Sequence, residues 1–438
     1  MLSDRAAAQD QARNISWADR VKLAPTRLGT YADYNLAWRR GSVLNLLSEE
    51  RADASAALVD AAREARNQFG QQAGQQLATT LNIVAQSATE LGIDYGTSMN
   101  ALLDTHSISF SGGTISLHDE KGVPLRNLGI GSARLLIAEL QKRAAIQSTI
   151  SLVDELEYGL EPHRIMRLLN SIGAKAELPP MQVFATSHSP VVIRELGATQ
   201  IAIVRNSQGK HIVQSVPDPS NMQGTIRLYP DALLAPSVLV CEGASEVGFM
   251  RGMDLFHCEN GYLSLAAMGV ALVDGGGITN LFNRAKVFQD LGYRTAVLRD
   301  DDVQPDAQAE QNFIANSGKV VAWRQGKALE DEIFQSVSDN GALELLKYAI
   351  DLHGQELIND HIVSASHGTL TLADCIAPFN GSVRNTLGLA ARTRKAGWFK
   401  SVAWMEHATR TIVGPDWRGC EPGFTAIVAD LFKWLPNG

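Results

Sequence analysis

Short apolar runs that end in acidic residues constrain the fold of this chain more than any other feature of its sequence. Three of them occupy residues 150–155, 237–242 and 295–302, and helix-forming sequence lies between them. Short apolar runs bounded by polar sequence are typical of buried strands, and strands that alternate with helices indicate an α/β fold with a largely parallel sheet. Ligands bind at the carboxyl edge of such a sheet, and the acidic residues are expected at that edge.

The same reading predicts the other elements. Residues 50–92 lack proline and favour one or two long helices, residues 107–117 alternate around Gly112-Gly113 as a hairpin does, and the prolines of 217–236 indicate a linker. After about residue 331 the pattern is mostly helical. The predicted helices are 132–143, 164–172, 245–255 and 279–291, and the predicted strands are 150–153, 182–185, 237–241, 263–265, 271–273, 294–298 and 319–322.

Composition narrows the class of protein. The 438 residues carry 39 basic and 47 acidic side chains, a net charge of −8, which makes sequence-blind coating of DNA improbable on charge alone. The four cysteines lie far apart without a CxxC pair, which argues against a zinc site and fits a reducing cytoplasm. No run approaches the ~20 apolar residues of a membrane span, and the first residues show no signal peptide. We therefore expect a cytoplasmic protein without a membrane partner.

One constellation suits nucleotide chemistry. Gly131 and Ser132 precede a helix whose N-terminus could face a phosphate, Asp154 and Glu155 end a strand, and His188 follows another strand. Taken singly, these features are equally consistent with a turn before a helix, a helix-capping acid and a structural histidine. Their order along the chain favours a shared role at one sheet edge.

A second constellation suits a metal ion. Glu242 and Glu246 lie at i and i+4 where a strand passes into a helix, and Asp300 and Asp302 share one face of an extended segment while Asp301 faces away. Clustered carboxylates repel unless a divalent cation neutralises them, and oxygen-only ligands suit Mg²⁺ or Mn²⁺. Two such ions can activate water and stabilise the leaving oxygen in phosphodiester cleavage. The alternative for the aspartate run is an acidic surface turn.

The densest basic stretch comes late, over residues 392–400, where aromatic residues are interleaved with positive charges. Arg392, Arg394 and Lys395 are candidates for gripping a DNA backbone, and a lysine close to the metal ions could stabilise the phosphate transition state. The alternative is a solvated basic helix end.

The first constellation resembles ABC-type ATPases of the SMC/RecF-like group. Residues 154–163 resemble their Walker B and D-loop, residues 186–190 their H-loop, and residues 128–134 the start of their signature helix, although the usual Leu-Ser-Gly-Gly is absent. The resemblance implies that Asp154 is a Mg²⁺ ligand and Glu155 the catalytic base. It also implies that His188 senses the γ-phosphate and that Ser132, next to Gly131, contacts a phosphate in trans.

ATP is thus an implied ligand, but no GxxxxGK[ST] sequence occurs in the chain. Three explanations remain open: the chain begins after a P-loop segment, the nucleotide site has decayed, or a second polypeptide supplies the loop. For the same reason the ATPase activity of the chain alone is an open question.

The second constellation resembles the Toprim domain, in which glutamate-glycine follows one strand and DxD a later one. Together with Glu246, the turn at 273–277 and the preceding ATPase half, residues 105–400 resemble the OLD-family (overcoming lysogenization defect) nucleases. The resemblance implies metal ligands at Glu242, Glu246, Asp300 and Asp302, with Asp274 at or beside the site. Glu330 and Glu332 match a further acidic position of the family, and the alternative for them is the acidic first turn of a helix. The resemblance also implies a catalytic role for Glu242 and for a lysine, for which Lys400 is the first choice and Lys395 the second.

The expected organisation is a helical arm region over 1–105, the C-terminal half of an ABC-type ATPase domain over 106–216, a linker over 217–236, a Toprim core over 237–335 and a helical part over 336–438. The resemblance implies a Mg²⁺- or Mn²⁺-dependent DNA endonuclease, in a family that is linked to anti-phage defence and DNA processing and in which some members pair with a helicase. ABC modules usually work as head-to-tail dimers, so the resemblance also implies a homodimer. The alternatives are a topoisomerase- or primase-like enzyme and a regulatory or scaffold protein with a degenerate ATPase.

Overall fold

The computed structural model describes residues 75–103, 115–144, 150–207, 209–216, 219–393 and 396–435, together with 42–47 and parts of 16–38. The chain divides into two compact units, Met1–Leu196 and Gly197–Gly438. Among the described residues, no helix has both the length and the apolar character that crossing a bilayer requires.

The described strands run in chain order, and they are β1 Thr26–Leu28, β2 Met99–Leu103, β3 Ile115–Asp119, β4 Ile150–Val153, β5 Gln182–Ala185, β6 Ala202–Ser207, β7 Lys210–Ser215, β8 Ser237–Cys241, β9 Val270–Asp274, β10 Arg294–Arg299 and β11 Lys319–Ala322. The α-helices are Val43–Leu47, Ala78–Glu90, Ile130–Arg143, Pro162–Ser171, Pro190–Glu195, Pro219–Leu228, Ala244–Glu259, Ile278–Asp290, Ala307–Ala315, Leu329–Ser336, Asp339–His353, Gln355–Ala365, Gly381–Ala391, Val402–Ala408 and Pro422–Trp434. Short 3-10 turns and one π-helical segment, Thr409–Val413, complete the described structure.

The first unit contains a parallel three-stranded sheet in the order β1-β4-β5, with Leu28 opposite Val153 and Val153 opposite Ala185. Strands β2 and β3 form a separate antiparallel pair. The helix Ile130–Arg143 contributes an almost continuous buried face to the core of this unit. The carboxyl ends of β4 and β5 therefore lie side by side, with the acidic segment that follows β4 next to the segment that follows β5.

The second unit contains a parallel four-stranded sheet in the order β11-β10-β8-β9, and a β6–β7 hairpin. All five residues of β8 are buried, as expected of a central parallel strand. One apolar core joins this sheet to the C-terminal helices, because Leu239 of β8, Trp398 and Phe424 belong to the same buried cluster. The helical C-terminal part thus folds as part of the unit that carries the sheet.

Most predicted elements are present, with ends that differ by a few residues, and the α/β class with parallel sheets is confirmed. The stretch 217–236, predicted as a linker, instead contains the helix Pro219–Leu228, whose first position accepts proline because its N–H has no helical partner. Residues 263–265 form no strand, and the antiparallel pair begins at Met99 rather than near residue 107. Residues 1–105, expected to be helical, also contribute β1 and β2, whereas residues 48–74 and the Gly112-Gly113 turn lie outside the described residues.

Candidate active site

The carboxyl ends of β8 and β10 bring two of the predicted acids together. The backbone N–H of Glu242 donates to the carbonyl of Leu298 at 2.8 Å, which continues the pairing of the two strands by one residue. The N–H of Asp300 then donates to Oε2 of Glu242 at 3.0 Å. Glu242 therefore lies directly over the end of β10, and burial raises the pKa of its carboxyl although the Asp300 N–H opposes the shift.

Glu246 lies in the first turn of the helix that follows β8. Its Oε2 accepts a hydrogen bond from the N–H of Gly243 at 2.8 Å, which satisfies a helix N-terminal donor and fixes the side chain. The residue is only 3% exposed. Burial raises the pKa of Glu246 well above its usual range, and the nearby carboxylates of Glu330 and Glu242 raise it further.

The helix Leu329–Ser336 starts with three consecutive acids that face different neighbours. Glu330 is buried beside Ser245, whose Oγ lies 3.2 Å from its Oε1, and burial raises its pKa while Lys400 partly offsets the effect. Glu332 belongs to another network, since the Arg324 guanidinium approaches its Oε2 to 2.6 Å. Of the two glutamates offered by the sequence, Glu330 is therefore the one placed at the carboxylate cluster.

The aspartate run after β10 splits as the extended-segment argument predicts. Oδ1 of Asp300 accepts from the N–H of Leu329 at 2.9 Å, and burial together with Glu246, Glu330, Glu242 and Asp302 raises the pKa of Asp300 well above its usual range. Asp301 faces away, toward Arg299 and the N–H of Gly326, at 3.0 and 2.9 Å.

The electrostatics of this cluster indicate what it can hold. The pKa values of Glu242, Glu246, Asp300 and Glu330 are all raised, so the ionised set is unfavourable without an added positive charge. The donors are all carboxylate oxygens, which fit Mg²⁺ or Mn²⁺. In the part of the chain that the structure describes, no three His, Cys, Asp or Glu side chains converge as a ready metal cage. The chemistry of the donors therefore fits a divalent ion.

Asp274 ends the neighbouring strand β9, opposite Cys241 in register. Its Oδ1 accepts from the N–H of Gly276 at 2.8 Å, so the side chain closes the turn that follows. Gly276 has φ +77°, a conformation that favours glycine, and a Cβ on Gly275 would lie 2.8 Å from the carbonyl oxygen of Cys241. Asp274 thus shapes the turn beside the cluster, and the glycines permit the close approach that the sequence suggested.

The basic segment reaches the same cluster. Nζ of Lys400 donates to the carbonyl of Arg392 at 3.0 Å. The guanidinium of Arg392 lies 3.1 Å from Oδ2 of Asp302, so this arginine pairs with a predicted metal ligand rather than standing free for DNA. Arg394 and Lys395 lie outside the described residues.

In the first unit, the segments after β4 and β5 are held together by side-chain contacts. Oγ1 of Thr186 donates to Oδ1 of Asp154 at 2.9 Å and accepts from the N–H of Glu155 at 2.9 Å. Glu157 accepts from Oγ of Ser187 at 2.7 Å and from the N–H of His188 at 2.6 Å. Asp154, Glu155 and His188 therefore share one exposed sheet edge.

The start of the helix Ile130–Arg143 packs on the same loop. A Cβ on Gly131 would lie 2.4 Å from the carbonyl oxygen of Gly159, so only glycine fits there, and Oγ of Ser132 accepts from Arg164 at 3.0 Å. The helix start and the segment after β4 are thus one packed unit.

Comparison with protein families agrees with this division. Residues 6–194 match the family described as AAA domain, putative AbiEii toxin, Type IV TA system, and residues 233–302 match the family described as Overcoming lysogenization defect protein-like, TOPRIM domain. The chain has the OLD-family architecture. The ATPase-type match begins at residue 6 and so includes β1, and both matches place the chain among nuclease and ATPase families. No curated protein matches the sequence.

Two buried residues with structural contacts were not predicted from the sequence. Arg134, 2% exposed, donates to the carbonyls of Asp154 and Glu155 at 3.0 and 2.9 Å and to that of Gly29 at 3.2 Å, so it ties the ends of β1 and β4 together. A basic residue inside an apolar helix face was its only signal. Asp331 is buried between Glu330 and Glu332 and contacts Arg392 at 3.1 Å, and the acidic run was the signal that could have revealed it.

A close helix contact connects the OLD-like Toprim sheet to the segment that carries Lys400. Gly248 and Gly252 in the helix Ala244–Glu259 face the C-terminal helices, where a Cβ would lie 2.6 Å from the carbonyl oxygen of Val402 and 2.5 Å from Cβ of Thr409, respectively. Ion pairs Arg251–Glu406 and Arg410–Glu259 flank the contact. The helix that presents Glu246 therefore packs directly on the helix that follows Lys400.

Proposed function

We propose that the chain is a DNA endonuclease that depends on Mg²⁺ or Mn²⁺ and uses two ions to hydrolyse phosphodiester bonds. The observation that carries the proposal is the cluster of Glu242, Glu246, Asp300 and Glu330 at one sheet edge. Burial raises the pKa values of all four carboxyls, and neighbouring carboxylates, Asp302 and Asp331 among them, raise them further. Raised carboxyl pKa values beside a cationic side chain are a mark of functional sites. The Toprim match over 233–302 supports a nuclease-type hydrolase at the same sheet edge.

The divalent ions would be held by Glu242, Glu246, Asp300 and Asp302, with Glu330 as a further ligand and Asp274 shaping the rim. When bound, such ions lower the pKa of water and polarise the phosphate. Glu242 is fixed by the Asp300 N–H, and the Gly243 N–H fixes Glu246, so neither carboxylate needs to be ordered on substrate binding. Lys400, held at 3.0 Å from the Arg392 carbonyl, supplies a positive charge for the phosphate as negative charge develops.

DNA is the proposed partner. Because Arg392 is paired with Asp302, we assign the backbone contacts to Arg394 and Lys395 and give Arg392 a place at the metal centre. A homodimer, a helicase partner and a role in anti-phage defence or DNA processing remain proposals that rest on the family resemblance.

Nucleotide binding by the first unit is a second proposal, and it rests on the Asp154, Glu155, Thr186 and His188 contacts. Asp154 would hold Mg²⁺, Glu155 would orient water and His188 would contact the γ-phosphate. Because the sequence contains no GxxxxGK[ST], we expect weak or undetectable ATP affinity for this chain alone, and titration calorimetry with ATP and Mg²⁺ measures it directly. Tight binding would contradict that expectation and establish another phosphate-binding loop in the chain.

The nuclease proposal is tested with supercoiled plasmid and the purified chain, with Mg²⁺ or Mn²⁺ and with EDTA. We expect metal-dependent nicking by the parent, loss of nicking in Glu242→Gln and Asp300→Asn, and parental activity in Glu344→Gln, an exposed acid that pairs with Lys347 elsewhere in the unit. Metal-independent cleavage, or full activity in both site variants, would exclude the proposed centre.

A further inference from the structure

Asp331 is a buried acid that is not one of the proposed metal ligands, so metal binding does not explain its burial. Its Oδ2 accepts from the N–H of Ala328 at 3.1 Å and lies 3.1 Å from Nη1 of Arg392, and its side chain is 5% exposed. Its Oδ1 is buried without a hydrogen-bond partner in the described structure. A carboxylate in such a place is costly unless it pairs with a cation, so the contact with Arg392 is needed to hold it there.

Arg392 is shared between two acids. The same nitrogen, Nη1, lies 3.1 Å from Oδ2 of Asp331 and 3.1 Å from Oδ2 of Asp302. Asp331 is deep and fixed, whereas Asp302 is 29% exposed and stands at the cluster. The Arg392 guanidinium therefore joins Asp302, a proposed metal ligand, to Asp331, a buried acid outside the proposed ligand set.

Close packing fixes the anchor. A Cβ on Gly388, in the helix that ends just before Arg392, would lie 2.7 Å from Oδ1 and 2.8 Å from Cα of Asp331. The helix that carries Asp331 and the helix that ends just before Arg392 are therefore in close backbone contact. This packing holds Asp331 in place if the guanidinium of Arg392 moves. Asp331 is therefore the fixed partner of the ion pair, and Arg392 is the partner that can move.

We propose that Arg392 is a built-in counter-ion that competes with the divalent metal for Asp302, and that Asp331 is the positioning residue that draws the arginine away from Asp302 when the metal binds. The inference rests on the proposed function, because it assumes that Asp302 is a metal ligand. With Asp331 present, the guanidinium keeps one strong partner after it releases Asp302, and metal binding need not leave a cation unpaired.

Opposite effects on metal affinity follow for the two partners. Loss of the Arg392 charge frees Asp302, so Arg392→Gln binds metal more tightly, by about fivefold for a partly exposed ion pair. Loss of the Asp331 charge leaves Arg392 with Asp302 as its main partner, so Asp331→Asn binds metal more weakly, by a similar factor. In the double variant the effect of Asp331→Asn is reduced, because its action passes through Arg392.

The experiment measures Mn²⁺ affinity of the full chain by electron paramagnetic resonance and calorimetry, without DNA. The parent, Arg392→Gln, Asp331→Asn and the double variant are compared with Lys347→Gln and Asp290→Asn, which make the same charge changes in exposed ion pairs. Circular dichroism confirms that each variant is folded.

The expected result is tighter binding in Arg392→Gln, weaker binding in Asp331→Asn, and no change in the two controls. Equal weakening in both site variants, or parental affinity in both, would overturn the inference while leaving the metal site in place. A parent chain that binds no Mn²⁺ would instead overturn the proposed function, and the inference with it.

Discussion

The contact between the helix Ala244–Glu259 and the C-terminal helices gives a prediction whose size follows from the structure. In Gly252→Ala the new Cβ would lie 2.5 Å from Cβ of Thr409 and 2.6 Å from the carbonyl oxygen of Glu406. Ordinary contacts between carbon atoms are about 3.5–4.0 Å, so one helix must move by about 1 Å. Overpacking of this kind costs about 2–3 kcal/mol, and alanine recovers about 1 kcal/mol of helix propensity. We expect a net loss of about 1–2 kcal/mol in the free energy of unfolding.

Gly224→Ala is the matched control. Gly224 lies inside the helix Pro219–Leu228 of the same unit, and a Cβ there meets nothing within 4 Å. This variant keeps the gain in helix propensity without the overlap, so we expect stabilisation by about 0.5–1 kcal/mol.

Urea unfolding followed by tryptophan fluorescence compares the two variants. Of the 7 tryptophans in the chain, only Trp17 and Trp38 lie in the first unit, so the signal reports mainly the second. The expected difference between the variants is about 1.5–3 kcal/mol. If the two variants agree within about 0.5 kcal/mol, the reasoning from backbone contact is refuted.

Three further predictions follow from buried charges. At neutral pH and without metal, Glu246→Gln should be more stable than the parent by about 1–2 kcal/mol, because the raised pKa of Glu246 means that its ionised form is unfavourable in the folded state. The same variant should lose the stabilisation that Mn²⁺ gives the parent, and thermal unfolding with and without metal measures both effects. A metal-free variant that is less stable than the parent would contradict the prediction. The folded pKa values of Glu246 and Asp300 lie above their unfolded values, so the stability of the metal-free protein should fall as pH rises from the usual carboxyl range toward neutrality. Unfolding in EDTA at a series of pH values measures this dependence. A free energy of unfolding that rises over the same pH range would count against the carboxylate cluster. Arg134→Gln should destabilise the first unit by about 3 kcal/mol, because three carbonyls lose a charged donor; hydrogen exchange of that unit measures the loss, and unchanged protection would be incompatible with it.

The sheet elements could be predicted because their causes are local. The apolar sequence of β8 predicts a buried strand, and all of its residues are buried in the fold. Glu242 directly follows this strand, so the direction of the strand is enough to predict its position at the sheet edge. The separation of Asp301 from Asp300 and Asp302 followed from the alternation of an extended chain, and the metal roles of the two outer acids stay predictions.

What the sequence could not reveal depends on contacts distant in the chain. Arg392 reads as a DNA contact until the fold places Asp302, 90 residues away, against its guanidinium. Arg134 has no local signal for the carbonyl of Gly29, which lies 105 residues earlier. Proline in 217–236 suggested a linker, yet tertiary packing and a tolerant first helical position make part of that stretch a helix.

The three acids that open the helix Leu329–Ser336 also make the length of the preceding loop critical. Glu330, Asp331 and Glu332 contact Ser245, Arg392 and Arg324, respectively. Successive residues of a helix are separated by about 100° around its axis. Inserting or deleting one residue before Leu329 would rotate each acid toward the side chain that the adjacent acid now contacts. The composition and charge of the chain would be almost unchanged. This segment should therefore accept many substitutions but few changes of length, and homologous chains that share the arrangement should align here without gaps.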